Sequence, residues 1–487
     1  MNSSMNSIAR RFFLGECAAV PGLAALSELL SRRTYAATPV SSARYAQGGA
    51  VASEVESLSV RASHFPGRAK AMIHLFMAGA PSQLELFDNK PMLTEYSGKP
   101  LPASVIGGQR YAFIQPDAAV MGPQFAFQKH GSSGTEISDA LPGLSRIADD
   151  VCLIRSMHTD QFNHAPAQIL MTSGFSQPGR PCLGSWLLYG LGSETQDLPA
   201  FVVMSTGDGI SGGTALWSSG FLPTVYNGVQ FRNQGPPILN VNRPAGVSEG
   251  LEQETFRLVN GLNRRRFEMI EDPEIATRIA SFEMAARLQT SAPELMDLSS
   301  ETAETLELYG CEPEKPSFAR ACLLARRMVE RGVRYVCIFH SGWDAHSNVK
   351  GNVQANARVT DQASAALVSD LKRLGMLDET LVLWGGEFGR TPMVESNAAL
   401  GRALGRDHHP QAFTVWMAGG GIRSGMTLGA TDDFGFHVID QPVHIYDLQA
   451  TVMHCMGLDH ERLTFHHAGR DFRLTDVHGR VIEQILV

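Results

Sequence analysis

Short, mainly apolar runs punctuate the chain, and several give way to polar clusters at their far ends. They are Ala71–Met77, Val151–Ile154, Pro199–Met204, Arg334–Phe339, Thr380–Trp384 and Ala412–Ala418. Runs of this length, rich in Val, Ile, Phe and Trp and without alternation, predict strands buried on both faces. Between them the apolar spacing turns helical, over Leu141–Ala148, Ala167–Thr172, Ser317–Arg331, Asp361–Leu374 and His444–Met456. Glu252–Leu295 carries the same period for long enough to make two helices. Strand alternating with helix predicts an α/β fold: a mostly parallel central sheet with helices on both faces. Thr206–Gly250 is rich in Gly, Pro and Asn and lacks a period. It is long for a plain connection, which predicts a loop over a site.

The polar clusters fall where an open α/β sheet binds its ligands, beyond the carboxyl ends of strands. Ser341-Gly342-Trp343-Asp344-Ala345-His346-Ser347-Asn348 follows one run. Gly386-Glu387-Phe388-Gly389-Arg390-Thr391-Pro392 follows another. Gly405-Arg406-Asp407-His408-His409-Pro410 precedes a third. A fourth polar stretch, Arg155 to Pro166, contains His158 and His164. His164 stands at a helix start, with Pro166 early in the helix. Unpaired backbone N–H groups there suit an anionic substrate; the competing reading is a capping loop whose histidines bond only locally.

Asp344 and His346 are two apart, so in extended chain both side chains leave the same side. Asp, Glu and His together suit zinc first, with manganese as an alternative; an all-oxygen set suits calcium or magnesium. The alternative is a hydrogen-bonded polar cluster without an ion. Arg390 and Arg406 have the fork that grips phosphate or sulfate, or else they pair with Glu387 and Asp407. His409 is a candidate general acid. No Gly-x-Ser-x-Gly elbow is present, which disfavours that kind of serine hydrolase. Gly419-Gly420-Gly421 follows a strand but lacks dinucleotide or P-loop spacing, so nucleotide binding is not expected.

Charge excludes one class of partner. The formal net charge is -8, without a basic block of the kind that binds nucleic acid. Arg264-Arg265-Arg266, the densest basic run, reads as a solvated helix face. The first residues carry an address: Arg10-Arg11-Phe12-Phe13-Leu14 is a twin-arginine pattern, a moderately apolar run follows to Leu30, and Thr34-Tyr35-Ala36 offers a cleavage site. Residues 1–36 are therefore expected to be a signal peptide, 37–68 a linker, and 69–487 one domain with insertions, periplasmic or secreted. No other segment is long and apolar enough to span a membrane. The seven cysteines are scattered without a CxxC pair. Cys152, Cys337 and Cys455 sit in apolar runs and are expected to be buried; Cys182, Cys311 and Cys322 are expected to be freer.

These motifs together carry a resemblance. Arg-Arg-x-Phe-Leu at the start, Gly-Trp-Asp-Ala-His-Ser-Asn, Gly-Glu-Phe-Gly-Arg-Thr-Pro, Gly-Arg-Asp-His-His-Pro and Ala-Gly-Gly-Gly-Ile-Arg-Ser-Gly, in that order, are similar to the bacterial family called domain of unknown function 1501. That family in turn resembles the alkaline phosphatase and sulfatase superfamily, which implies an α/β/α sandwich with metals at the strand ends. His164 to Gly174 is similar to the sulfatase segment Cys-x-Pro-Ser-Arg-Ala-Ala-Leu-Leu-Thr-Gly. The resemblance therefore puts His164 at the nucleophile position. It implies that Asp344, His346 and His408 hold one metal and that Glu387 belongs to a second. Phe388 departs from the pattern, standing where a second-metal ligand is expected. Gln83 and Glu85 also depart, replacing a usual His and Asp. The expected activity is metal-dependent hydrolysis of phosphate or sulfate esters. The alternative from another class is an exported protein that binds an anionic ligand, such as sulfated polysaccharide, without turning it over.

Overall fold

A computed structural model describes residues 58–487, apart from 109–110, 112–113, 116, 239–242, 244–245 and 271–272. The expected signal peptide and the first part of the expected linker lie outside the described residues. The rest of that linker, 58–68, runs along the domain: Leu58 O accepts from Ser193 N at 2.7 Å, and His64 N donates to Gly457 O at 2.9 Å.

The strands of the main sheet are β1 (Ala71–Ala78), β2 (Cys152–His158), β3 (Phe201–Thr206), β4 (Val229–Gln230), β5 (Tyr335–Ser341) and β6 (Thr380–Gly385). A hairpin of β7 (Gly389–Asn397) and β8 (Arg402–His409) follows, then β9 (Phe413–Ala418), β10 (Met426–Leu428) and β11 (Val443–His444). The spatial order is β10-β2-β9-β6-β1-β5-β3-β4, with β11 also paired to β2. Among the described strands of this sheet, only β9 runs against its neighbours, β2 and β6. The sheet is thus mostly parallel, as the apolar runs predict.

Helices cover both faces. Those used below are α1 (Gln83–Leu86), α2 (His164–Ser173), α3 (Leu183–Leu191), α4 (Glu249–Ile270), α5 (Pro273–Met296), α6 (Phe318–Glu330), α7 (Val349–Arg373) and α8 (Ile445–Cys455). Side chains of β1 alternate between two cores. Ile73, Leu75 and Met77 join Leu323, Met328, Leu367 and Leu371 from α6 and α7. Met72 and Phe76 join Leu170, Trp186, Leu187 and Val452 from α2, α3 and α8. A strand with an apolar layer on each side has no polar face to show, which explains its unbroken hydrophobicity.

Besides helix α3, which was not expected, three elements differ from expectation. β2 continues through Arg155–His158, read above as loop because two of those residues can be charged. α7 begins at Val349, twelve residues before the expected Asp361. Asn348 caps it from a left-handed conformation (φ 45°), its side chain accepting from Gly351 N. The chain also makes a hairpin where only polar clusters were read. It leaves the carboxyl end of β6, crosses the edge of the sheet as β7 and β8, and returns through β9. That return path is why β9 is antiparallel and why His408 ends at the carboxyl edge. Six cysteines are described; all are buried and none is disulfide-bonded, so Cys182, Cys311 and Cys322 are no freer than the rest.

Candidate metal centre

Four segments deliver the centre. His164 opens α2, just after β2. Asp344 and His346 follow β5. Glu387 follows β6. His408 rides on β8, opposite Arg390 on β7.

Asp344 Oδ1 is the hub. The Nε2 atoms of His346, His164 and His408 lie 3.1, 3.2 and 3.4 Å from it, and an Arg390 Nη donates to it at 2.7 Å. One ligand atom from each of His164, Asp344, His346 and His408 lies within 4.8 Å of the others. The far side of each imidazole is held by an acceptor. His164 Nδ1 meets Glu387 Oε1 at 2.7 Å, His346 Nδ1 meets Glu395 Oε2 at 2.5 Å, and His408 Nδ1 meets the Phe162 carbonyl at 2.7 Å. A carbonyl can only accept, so His408 carries a proton on Nδ1. Burial, with Arg390 and His164 beside it, lowers the His408 pKa to about 4 despite Asp344, so at neutral pH its Nε2 is a bare lone pair. That lone pair faces a carboxylate oxygen, acceptor against acceptor. His164 Nε2 is buried and lacks a hydrogen bond of good geometry, although its distance to Asp344 fits an ion pair. Imidazoles aimed at one oxygen, each braced behind by an acceptor, form the donor set of a divalent cation. The residues present therefore fit a metal ion.

The electrostatics agree. Burial alone would raise the Asp344 pKa, but His164, His408 and Arg390 hold it far below the usual carboxylate range. Burial opposes charge on His164, yet Asp344 and Glu387 outweigh it and raise its pKa to about 9. Burial likewise acts to raise Glu395, and His346 and Arg402 overcome it to leave its pKa lowered.

Two residues stand in other positions than expected. His164, expected as the nucleophile, is one of the four residues whose atoms could hold an ion. Glu387, expected as a ligand, is fully buried behind it. Its Oε1 also accepts from Gln168 Nε2 at 2.9 Å and Gly79 N at 3.0 Å. Phe388 packs its ring on His164 and His408, at centroid distances of 5.0 and 4.8 Å, and so fills the place expected for a second metal's ligand.

Other expected residues serve the scaffold. Arg390 is wholly buried, and its donors also reach Ala80 O, Arg406 O and Gly79 O at 3.0, 3.1 and 2.5 Å. It orients Asp344 instead of reaching for a free anion. Arg406 pairs not with Asp407 but with Glu85 on α1, at 2.7 Å, both side chains without exposure. His409 does not join the cluster. It is fully buried, one ring nitrogen 2.9 Å from the Tyr111 hydroxyl and the other 2.5 Å from the Phe436 carbonyl. The ring expected as a general acid is thus held by these two contacts outside the group of candidate ligand atoms. Glu395 went unread, and Glu85 was read without its partner Arg406, because an acidic residue inside a polar stretch has no spacing that marks its partner.

A cleft of about 200 Å³ opens over the centre, lined among others by His164, Gln168, Asp208, Ser211, Ser341 and Asp344. Asp208 and Ser211 come from the long Gly-rich loop expected over a site. Gln168 ties that loop down, its Oε1 accepting from Gly212 N at 2.9 Å. Among the described residues, no lysine or arginine lines the cleft. A larger hollow of about 610 Å³ lies between residues 124–142 and α7 and contains none of the cluster.

The family model described as "Protein of unknown function (DUF1501)" matches residues 69–486. The chain belongs to the DUF1501 family. The match covers every residue of the cluster and stops short of the twin-arginine pattern. No curated protein matches the chain in sequence. Solved structures to which this DUF1501 chain is similar include the lipoteichoic acid synthase LtaP from Listeria monocytogenes, at 9% identity, covering 87% of this chain and 79% of that one, TM-score 0.34. A protein in the alkaline phosphatase superfamily from Vibrio parahaemolyticus matches at 9% identity over 82% and 69%, TM-score 0.36. The PsFucS1 sulfatase from Pseudoalteromonas sp. matches at 11% identity over 81% and 69%, TM-score 0.35.

Proposed function

We propose that this DUF1501 protein is an exported, metal-dependent hydrolase of phosphate or sulfate esters. The observation that carries the reading is the neutral His408 Nε2 facing Asp344 Oδ1, with two more braced imidazoles around the same oxygen. Asp344, His346, His408 and His164 hold one divalent cation, zinc by the nitrogen-rich donor set. Such an ion makes a water more acidic and offsets negative charge on an ester. Glu387, Glu395 and the Phe162 carbonyl fix the imidazoles, and Arg390 fixes the carboxylate. With His164 among the ligands and His409 turned away, no side chain of the cluster is left as a nucleophile. Water is then the attacking group. Asp344, 42% exposed at its side chain, faces the cleft.

A second reading keeps the ion and the ligand but not the turnover: a binding protein for an anionic ester. It is favoured by Phe388 at the expected second-metal position and by a cleft with no lysine or arginine among its described lining residues. Metal analysis of the purified protein, followed by aryl phosphate, phosphodiester and sulfate substrates with an Asp344→Ala control, separates the readings. Stoichiometric metal with turnover lost in the control supports the hydrolase. Substoichiometric metal, with turnover equal in the control, removes it. Export is tested by Arg10→Lys with Arg11→Lys, which should leave the protein in the cytoplasm; unchanged secretion would remove the twin-arginine route.

A further inference from the structure

The long helix α4 carries an apolar stripe that the domain does not use. Leu251, Leu258, Leu262 and Met269 are 55, 49, 53 and 77% exposed. At about 100° per residue they fall within about 20° of a single line along the helix. The half-buried positions Phe256, Val259, Asn263 and Phe267 lie on a different side. α5 packs beside α4, joined through Arg264–Glu283 at 3.1 Å and Gln289–Glu252 at 2.9 Å.

The stripe is symmetric. Leu251 and Met269 lie nine residues either side of Asn260, and Leu258 and Leu262 lie two either side. A helix that reads the same outward from its midpoint suits its own copy, turned end for end about a twofold axis. The charges divide to match. Glu249, Glu252 and Glu254 lie in the first half with Arg257, and Arg264, Arg265 and Arg266 in the second with Glu268, a net charge of -2 against +2. Glu254 and Arg265, both exposed, flank the stripe on the same side. In an antiparallel pair centred on Asn260 they come level to within about one residue's rise of ~1.5 Å. The symmetry of the pair makes that contact twice.

We propose that α4 is a self-docking helix, through which two copies of this chain pair antiparallel, Leu251 on Met269 and Leu258 on Leu262, with Glu254 of each copy facing Arg265 of the other. This is independent of the metal-centre reading.

Sedimentation velocity of the full-length protein across a micromolar concentration range tests it. The wild type should self-associate as a dimer. Leu258→Glu with Leu262→Glu should weaken the dimer by roughly tenfold or more in Kd, with circular dichroism and metal content unchanged. Glu254→Arg or Arg265→Glu alone should weaken it several-fold, and the two together should restore it. A wild type that stays monomeric, a dimer indifferent to the leucine changes, or a double charge reversal without rescue each overturns the proposal. A monomer whose α4 instead binds phosphatidylglycerol vesicles would also overturn it, making the occupant a lipid surface.

Discussion

Glu387→Gln tests which row of the centre this residue occupies. The substitution keeps the size of the side chain and an oxygen able to accept from His164 Nδ1, and it removes the negative charge behind that imidazole. If Glu387 braces a ligand, metal affinity should fall by roughly 10- to 100-fold, about 1.4 to 2.7 kcal/mol, with stoichiometry retained. The pH dependence sharpens the test. Burial disfavours charge on His164, but Asp344 and Glu387 raise its pKa to about 9. In the metal-free protein below that pH, His164 holds a proton that an incoming ion must displace. Apparent affinity should therefore climb about tenfold per pH unit up to about 9 and then level off. At pH 7, two units below, proton competition weakens wild-type binding about 100-fold. In Glu387→Gln the neutral amide raises His164 less, so the break moves to lower pH. The variant should bind more weakly above pH 9, and the two curves should converge towards pH 7. Isothermal titration with zinc, against a chelator of known affinity at each pH, reads both effects. Complete loss of metal at every pH would make Glu387 a direct ligand; coincident curves would mean that it does not support His164.

Glu85→Gln should cost about 3–5 kcal/mol of stability, because it leaves Arg406 charged, buried and without its counter-charge; a urea midpoint near the wild-type value would refute this. His409→Asn should leave metal content and turnover unchanged while lowering stability by about 1–3 kcal/mol through lost bonds to Tyr111 and Phe436. Loss of turnover with normal metal content and folding would return His409 to the chemistry.

Much of the sheet was legible because its central strands are apolar on both faces, as Ala71–Ala78 shows. The hairpin from Gly389 to His409 was not. Its buried residues include Arg390, Glu395, Arg406 and Asp407, whose burial depends on partners far along the chain, and Pro392 interrupts the pattern. The far half of β2 was missed for a related reason: Arg155 bonds to Glu136 O at 3.0 Å, a partner that periodicity cannot reveal. The early turns of α7 were hidden by Gly351, Asn352 and Asn356. At the centre, Asp344, His346 and His408 were legible as polar residues around strand ends. The placing of His164 in the cluster with Glu387 behind it was not, because residues at the front and the back of such a cluster are the same types at the same spacing until the ring's two nitrogens have directions.

The candidate cation ligands hang from strands and helices that are far apart in the chain: the loop behind β2, the tip of β5 and the excursion that β9 brings home. No fragment owns enough of them to capture an ion alone. A polypeptide halted before residue 408 lacks one imidazole, and one with an unclosed sheet has them scattered. On the metal reading proposed above, metal occupancy in a preparation would count finished molecules, and an assay for bound ion would double as an assay for completed folding.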